Sequence, residues 1–196
     1  VGSATGRILQ VHGATVTAVA DHQGAIADED GIDAFELTDW VSERGTVKVF
    51  PHAGWIDDDD FWASDVDIFV PAAIENQVHA ENAPRIQAKV IVEAANGPTT
   101  LEAEEMLTAR GVEILPDILV NAGGVIVSYF EWVQNRSAQR WSLDDVDYKL
   151  REVLWRACDA VVEARRDYEV DSRRDAAYAV ALSRLQTVYR QRGIFP

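Results

Sequence analysis

The sequence predicts an α/β fold: a doubly wound, mostly parallel sheet over residues 1–124, followed by a helical carboxy-terminal segment over residues 125–196. Two observations carry this. Short apolar runs rich in β-branched residues alternate with stretches of helical spacing, the pattern of successive βα units. The alternation then stops near Asn121, and beyond it only helical patterns remain.

Each element has its own signal. Gly2 to about Val11 has helical spacing behind a glycine. Thr15-Val-Thr-Ala-Val-Ala20 reads as a buried strand ending at Asp21, and Gly24 to Asp33 as turn-rich, with Asp30-Gly31 a tight turn. Ile32 to about Glu43 is helical and Gly45 stops it. Asp57 to Asp60 lead a short helical turn toward Trp62. Asp65-Val-Asp-Ile-Phe-Val70 is a strand closed by Pro71, Lys89-Val-Ile-Val92 another, and Glu113-Ile-Leu-Pro116 a third. Thr99-Thr-Leu-Glu102 has the form of a capping box before a helix to about Arg110, with Gly111 as the helix C′ glycine. Val125 to about Asn135 is helical. Ser142-Leu-Asp-Asp145 caps a long helix to about Glu169, whose Leu143, Val146, Leu150, Val153, Leu154, Ala157 and Val161 form one apolar stripe. Cys158 falls on its apolar side, and Trp132 and Trp155 suit helix packing. Asp175 to about Arg190 forms the last helix.

Composition bounds the function. The chain carries 33 acidic against 18 basic residues, a net charge of -15. Its lysines are Lys48, Lys89 and Lys149, so the basic side is almost all arginine. Acid excess with lysine depletion suits a protein that works in high salt, where dense carboxylates hold water and salt screens their repulsion; an ordinary acidic cytosolic enzyme is the alternative. Nucleic acid and anionic membrane would be repelled. No apolar run is long enough for a membrane span, and no segment reads as a secretory signal. One cysteine excludes an internal disulfide framework and fits a reducing, cytoplasmic compartment. His12, His22, His52 and His79 show no metal spacing, and Asp57 to Asp60 read as a solvated acidic turn rather than a cation site.

A dinucleotide site needs a glycine where the backbone meets the pyrophosphate, a helix amino terminus, and an acidic residue at the end of the next strand about 20 residues on. Gly2 opens a helix, and Asp21 stands at the following strand end. By themselves these residues read equally as a helix start and a turn aspartate. Two longer motifs add to them: Val92-Glu-Ala-Ala-Asn-Gly-Pro-Thr-Thr100 and Pro116-Asp-Ile-Leu-Val-Asn-Ala-Gly-Gly-Val-Ile-Val-Ser-Tyr-Phe-Glu-Trp-Val-Gln-Asn135. With Val1-Gly-Ser-Ala-Thr-Gly-Arg-Ile-Leu9, they resemble the nucleotide-binding half of glutamate dehydrogenases, within the glutamate/leucine/phenylalanine/valine dehydrogenase family.

The resemblance implies a Rossmann-like domain that opens inside the glycine-rich loop. The first strand and an upstream domain carrying the family's catalytic lysine and aspartate would lie outside the chain, and no catalytic residue is assigned within it. It places Val1 and Gly2 against the pyrophosphate, Asp21 and His22 near the adenosine ribose, and Ala72, Ala73, Asn96 and Asn121 toward the nicotinamide. The cofactor would be NAD or NADP. Residues 21–31 hold no lysine or arginine and four acidic residues, which leans to NAD.

The implied substrate residues are Asn121, Val125 and Ser128. A serine hydroxyl can hydrogen-bond the far carboxylate of L-glutamate, and a site built for a polar group discriminates against substrates without one. The alternative for Ser128 is a helix serine bonded to its own backbone. The implied reaction is oxidative deamination of L-glutamate to 2-oxoglutarate and ammonia, in a homo-oligomer, commonly a hexamer. The rival readings are a leucine, phenylalanine or valine dehydrogenase, and a non-catalytic nucleotide-binding module.

Overall fold

The computed structural model describes residues 1–193; the last three residues of the 125–196 segment lie outside them. The chain is α/β with a parallel strand pair and carboxy-terminal helices, as the sequence predicts, and divides into two compact units, Val1–Glu113 and Ile114–Pro196.

The first unit begins with α1 (Gly2–Val11) and β1 (Ala18–Asp21). The segment read as turn-rich is a strand, β2 (Gly24–Ala27), which pairs antiparallel with β1 in the register Val19↔Ile26 and Asp21↔Gly24. α2 (Ala34–Arg44) follows. The Asp33 carboxylate caps its first amides, and Gly45, at φ 76°, closes it in the left-handed conformation that glycine adopts without strain. β3 (Gly54–Ile56), a strand the sequence reading lacks, pairs antiparallel with β2, Trp55 opposite Ile26. Ile26, Ile32, Leu37, Val47 and Phe50 form the core under this sheet, with Trp40 packed edge-on to Phe50.

The second sheet has the order β4 (Ile68–Phe69), β5 (Val90–Val92), β6 (Glu113–Leu115), and β4 and β5 are parallel. Between β4 and β5 runs a single 3-10 turn, Ala83–Arg85. The Arg110 guanidinium donates to the carbonyls of Ala83, Pro84 and Ile86 and so ties that turn to the end of α4 (Leu101–Ala109). The cap of α4 is Thr100, whose hydroxyl accepts from the Ala103 amide, and not Thr99 as the capping-box reading has it. Thr99 is buried and its backbone bridges to Val78, which leaves the capping geometry to the next threonine. The acidic turn starts α3 (Asp58–Trp62): Asp57 accepts from the Asp60 amide, and Asp59 pairs with Arg85.

In the second unit α5 (Asp117–Val120) and α6 (Ala122–Ser137) precede α7 (Leu143–Asp167) and α8 (Arg173–Arg192). Ser142 and Asp145 form a reciprocal capping box on α7. Val161 and Ala164 of α7 pack on Ala176 and Ala177 of α8, with Leu119 and Val170 beside them. Arg174 holds Asp117 at 2.7 Å with both side chains about four-fifths buried, which fixes α5 to α8. Several residues expected to pack do not. Leu143 at the head of the α7 stripe, Trp132 on α6, and Trp155 and Cys158 on α7 are all exposed; the buried residues of α7 are Val161 and Ala164, which face α8. Among the described residues no helix is long and apolar enough to cross a membrane.

Candidate functional site

The predicted residues of the first unit gather where strands end. α1 starts at Gly2 with Val1 as its N-cap, and among the described residues no side chain caps its first amides; leading N–H groups and the positive end of a helix dipole suit an anion. A Cβ built on Gly2 would lie 3.8 Å from the Ala72 Cβ. The start of α1 therefore meets the segment that follows β4, and the absent side chain leaves a shallow cradle there.

The segments following β4 and β5 are bound to each other. The Pro71 carbonyl accepts from the amides of both Ala94 and Ala95 at 3.0 Å; the Asn76 amide donates to the Gly97 carbonyl and the Val78 amide to the Pro98 carbonyl, each at 2.8 Å. Asn76, at φ 55°, and Gly97, at φ 51°, both turn through the left-handed region, the conformation Asn and Gly tolerate best. Ala72, Ala73, Asn96 and Gly97 thus stand on one backbone network at the carboxyl ends of two parallel strands. Ala72 is half-buried; Ala73 and Asn96 are exposed.

Asp21 ends β1. Its carboxylate accepts from the Gln23 amide and, across 26 positions, from the Val47 amide, both at 2.8 Å. Burial alone would raise its pKa; those two amides, the Thr46 hydroxyl and neighbouring His22 outweigh burial and hold the carboxyl below its usual value. His22 is exposed at the tip of the β1–β2 hairpin, with the Gln23 side chain 3.3 Å from its ring. The partners of Asp21 are what the sequence reading missed. The Trp55 ring lies diagonally across the hairpin over Gly24, where a Cβ would sit 1.8 Å from Trp55 Cη2. The Lys48 ammonium lies 5.8 Å from the Trp55 ring centre. No local sequence signal joins residues 21, 47 and 55.

In the second unit Asn121 stands at the junction of α5 and α6, and its carbonyl accepts from the Gly124 amide. Pro116 and α5 lie between β6 and α6, and both glycines fall in the first turn of α6, which therefore starts ahead of the Val125 at which the helical spacing begins. Gly123 faces Leu150 and Leu154 of α7, whereas nothing lies within 4 Å of a Cβ at Gly124. Val125 is 70% exposed on the same helix. The Ser128 hydroxyl donates to the Gly124 carbonyl at 2.9 Å, so its proton must turn from the backbone to meet a ligand carboxylate. Among the described residues no group of three His, Cys, Asp or Glu side chains could hold a metal ion.

An uncapped helix start and bound loops at the carboxyl ends of parallel strands are where open α/β sheets take their ligands. The chain belongs to the Glutamate/Leucine/Phenylalanine/Valine dehydrogenase family, whose model matches residues 1–193. It is similar to a glutamate dehydrogenase of Thermotoga maritima, 46% identical over 96% of this chain and 45% of that protein. Relatives of either cofactor preference match about equally. An NAD-specific glutamate dehydrogenase of Clostridioides difficile is 42% identical over 98% of this chain and 47% of its own length. An NADP-specific glutamate dehydrogenase of Halobacterium salinarum is 41% identical over 100% and 47%. The structure superposes on a hetero-hexameric glutamate dehydrogenase of Thermus thermophilus in its Leu-bound form with a TM-score of 0.91, at 30% identity, covering 100% of this chain and 46% of that one. The chain spans about half the length of the relatives it matches.

Proposed function

We propose that this chain is the cofactor-binding part of an NAD(P)-dependent dehydrogenase that oxidatively deaminates L-glutamate to 2-oxoglutarate and ammonia. The observation that carries the reading is the convergence of the uncapped start of α1, the Gly2–Ala72 approach and the joined segments after β4 and β5. NAD(P), when bound, accepts a hydride from the substrate Cα. The residues of this chain bind and orient. Val1 and Gly2 present backbone to the pyrophosphate. Asp21 and His22 address the adenosine ribose. Ala72 and Ala73, small by necessity, and Asn96 and Asn121, with their amide groups, address the nicotinamide side. Asn121, Val125 and Ser128 address the amino acid, Ser128 by donating to its distal carboxylate. In this reading the nucleotide-binding domain covers residues 1–124, the helical segment 125–196, and the working protein is a cytoplasmic homo-hexamer.

The net charge of -15 and the scarcity of lysine support adaptation to high salt. They also argue against nucleic acid and anionic membrane as partners. One observation favours a relative acting on leucine, phenylalanine or valine: the Ser128 hydroxyl is already bonded to the Gly124 carbonyl. The test is formation of NADH or NADPH by the full protein with glutamate, with leucine as the control substrate, with and without molar KCl. Turnover with glutamate alone, enhanced by salt, is expected. Turnover with leucine and not glutamate transfers the reading to the apolar relatives. Nucleotide binding without turnover on any amino acid leaves a binding module and refutes the enzyme.

A further inference from the structure

The loop after β4 is tied down on either side of its outer turn. On one side the Pro71 carbonyl accepts from Ala94 and Ala95; on the other the Asn76 and Val78 amides donate to Gly97 and Pro98. Residues 72–75 lie between these ties, and Ala73, Ile74 and Glu75 are exposed. An alanine side chain carries no polar group to anchor it, so the place of Ala73 depends on the backbone around it. A side chain reaches that backbone from behind: Gln77 Oε1 accepts the Ile74 amide at 3.3 Å.

Gln77 is held in turn by Asn82. Asn82 Nδ2 donates to the Gln77 carbonyl at 2.8 Å, and Asn82 Oδ1 accepts from the His79 amide at 2.8 Å. Nδ2 also lies 3.4 Å from His79 Nε2, which accepts its second hydrogen when the ring proton is on Nδ1. Asn82 is 5% exposed. A buried amide costs stability unless its polar atoms are bonded, and both ends of this one face residues 77–79. Its mount is rigid. Asn82 precedes the 3-10 turn Ala83–Arg85, and the Ala83 amide donates to the His79 carbonyl at 2.9 Å. Arg110, at the end of α4, grips that turn by the carbonyls of Ala83, Pro84 and Ile86. A chain of bonds thus runs from α4 through Arg110, the 3-10 turn, Asn82 and Gln77 to the Ile74 amide. A satisfied buried polar network specifies one arrangement of the groups it joins.

We propose that Asn82 is a positioning residue for the nicotinamide: acting through Gln77, it sets the outer turn at residues 72–75 against the nicotinamide and its ribose. The proposal rests on the reading of Ala72 and Ala73 given above and adds the residues that keep that turn in place. Asn82 and Gln77 act from behind the turn and are not themselves ligand contacts. Loss of either would loosen the grip on the nicotinamide half of the cofactor and spare the adenosine half, which is held at the start of α1 and at Asp21.

The test compares two ligands on the full protein by calorimetry: the reduced cofactor and the same molecule without its nicotinamide. The pairs are NADH with ADP-ribose, and NADPH with the 2′-phosphate of ADP-ribose. Within a pair, the ratio of dissociation constants isolates the nicotinamide contribution, and in wild type the reduced cofactor should bind more tightly. Asn82→Ala should weaken the reduced cofactor about tenfold, the scale of one lost hydrogen bond, and leave the nicotinamide-free ligand within about twofold. Gln77→Met removes the acceptor of the Ile74 amide while leaving the Gln77 carbonyl on Asn82, and should shift the ratio the same way. Gln77→Glu keeps an acceptor oxygen there and should restore the ratio. The two Gln77 variants decide the matter if Asn82→Ala does not fold. Equal losses for both ligands would make Asn82 and Gln77 purely structural and overturn the proposal. So would an unchanged ratio in Gln77→Met, or a loss in Gln77→Glu as large as in Gln77→Met. A wild type that binds both ligands of a pair equally overturns the nicotinamide-side reading itself, and binding of neither pair overturns the nucleotide site; the proposal falls with either.

Discussion

Asp21→Asn separates what the Asp21 carboxylate does for the fold from what a ligand would ask of it. In the native chain its two oxygens accept the Gln23 and Val47 amides at 2.8 Å. Asparagine keeps one acceptor oxygen, replaces the other with an NH2 group that cannot accept, and removes the charge. One charge-assisted bond is lost, worth about 1.5–3 kcal/mol. Asp21 is half-buried, and water recovers part of that for the released amide, so a loss of about 1–2 kcal/mol is expected at neutral pH. The hydrogen bonds to Asp21 hold its folded pKa below the ordinary 3.8, so its contribution is complete above 3.8 and disappears as pH falls through the lower folded value. The assay is urea unfolding of both proteins at neutral pH and at the acid edge of the native range, in the same molar KCl, followed by tryptophan fluorescence. The deficit of Asp21→Asn should be present at neutral pH and shrink in acid. An equal deficit at both pH values would mean that packing, not the carboxylate, joins the hairpin to residues 46–48.

Three further substitutions probe the framework. Gly24→Ala forces a Cβ to within 1.8 Å of Trp55 at φ 138° and should cost about 2–5 kcal/mol from overpacking and backbone strain combined, read as a lower urea midpoint; a near-neutral result would show that the Trp55 ring is not held over the hairpin. Leu107→Ala, at a fully buried position on α4, should cost about 2–5 kcal/mol by calorimetry, and a loss under ~1 kcal/mol would show that the site collapses around the cavity. Arg174→Met leaves the four-fifths-buried Asp117 without this guanidinium and should lower stability by roughly 1–3 kcal/mol, below the fully buried range because both side chains retain some water; the double change with Asp117→Leu should recover much of it, and no recovery would refute the charge-desolvation account.

The elements with strong local signals were legible: the Thr15–Ala20 run for β1, the Gly45 stop of α2, the Ser142 box of α7. Those that failed share a cause. β2 is Gly-Ala-Ile-Ala, in which only Ile26 favours a strand, and it becomes one with Ile26 buried in the cluster of Val47 and Phe50. β3 is too short to show a period. Gly123 and Gly124 have poor helix propensity and lie in the first turn of α6 all the same, with Gly123 set against Leu150 and Leu154 of α7. The candidate site was legible in its residues and not in its connections. Gly2, Ala72 and Asn96 could be named in sequence, but that Gly2 meets Ala72, or that Asp21 holds Val47, depends on contacts dozens of positions apart. Lys48 and Trp55 lie in segments with no motif at all.

The Pro71 carbonyl, shared by the amides of Ala94 and Ala95, and the Asn76–Gly97 and Val78–Pro98 bonds beyond it make two loops into one mechanical part. Neither can shift by the breadth of an atom without breaking bonds to the other. A substitution at Ala73 would therefore be felt at Asn96, and a ligand that orders one loop orders both. In hydrogen exchange the amides of Asn76, Val78, Ala94 and Ala95 should open together and slow together, as one latch rather than four.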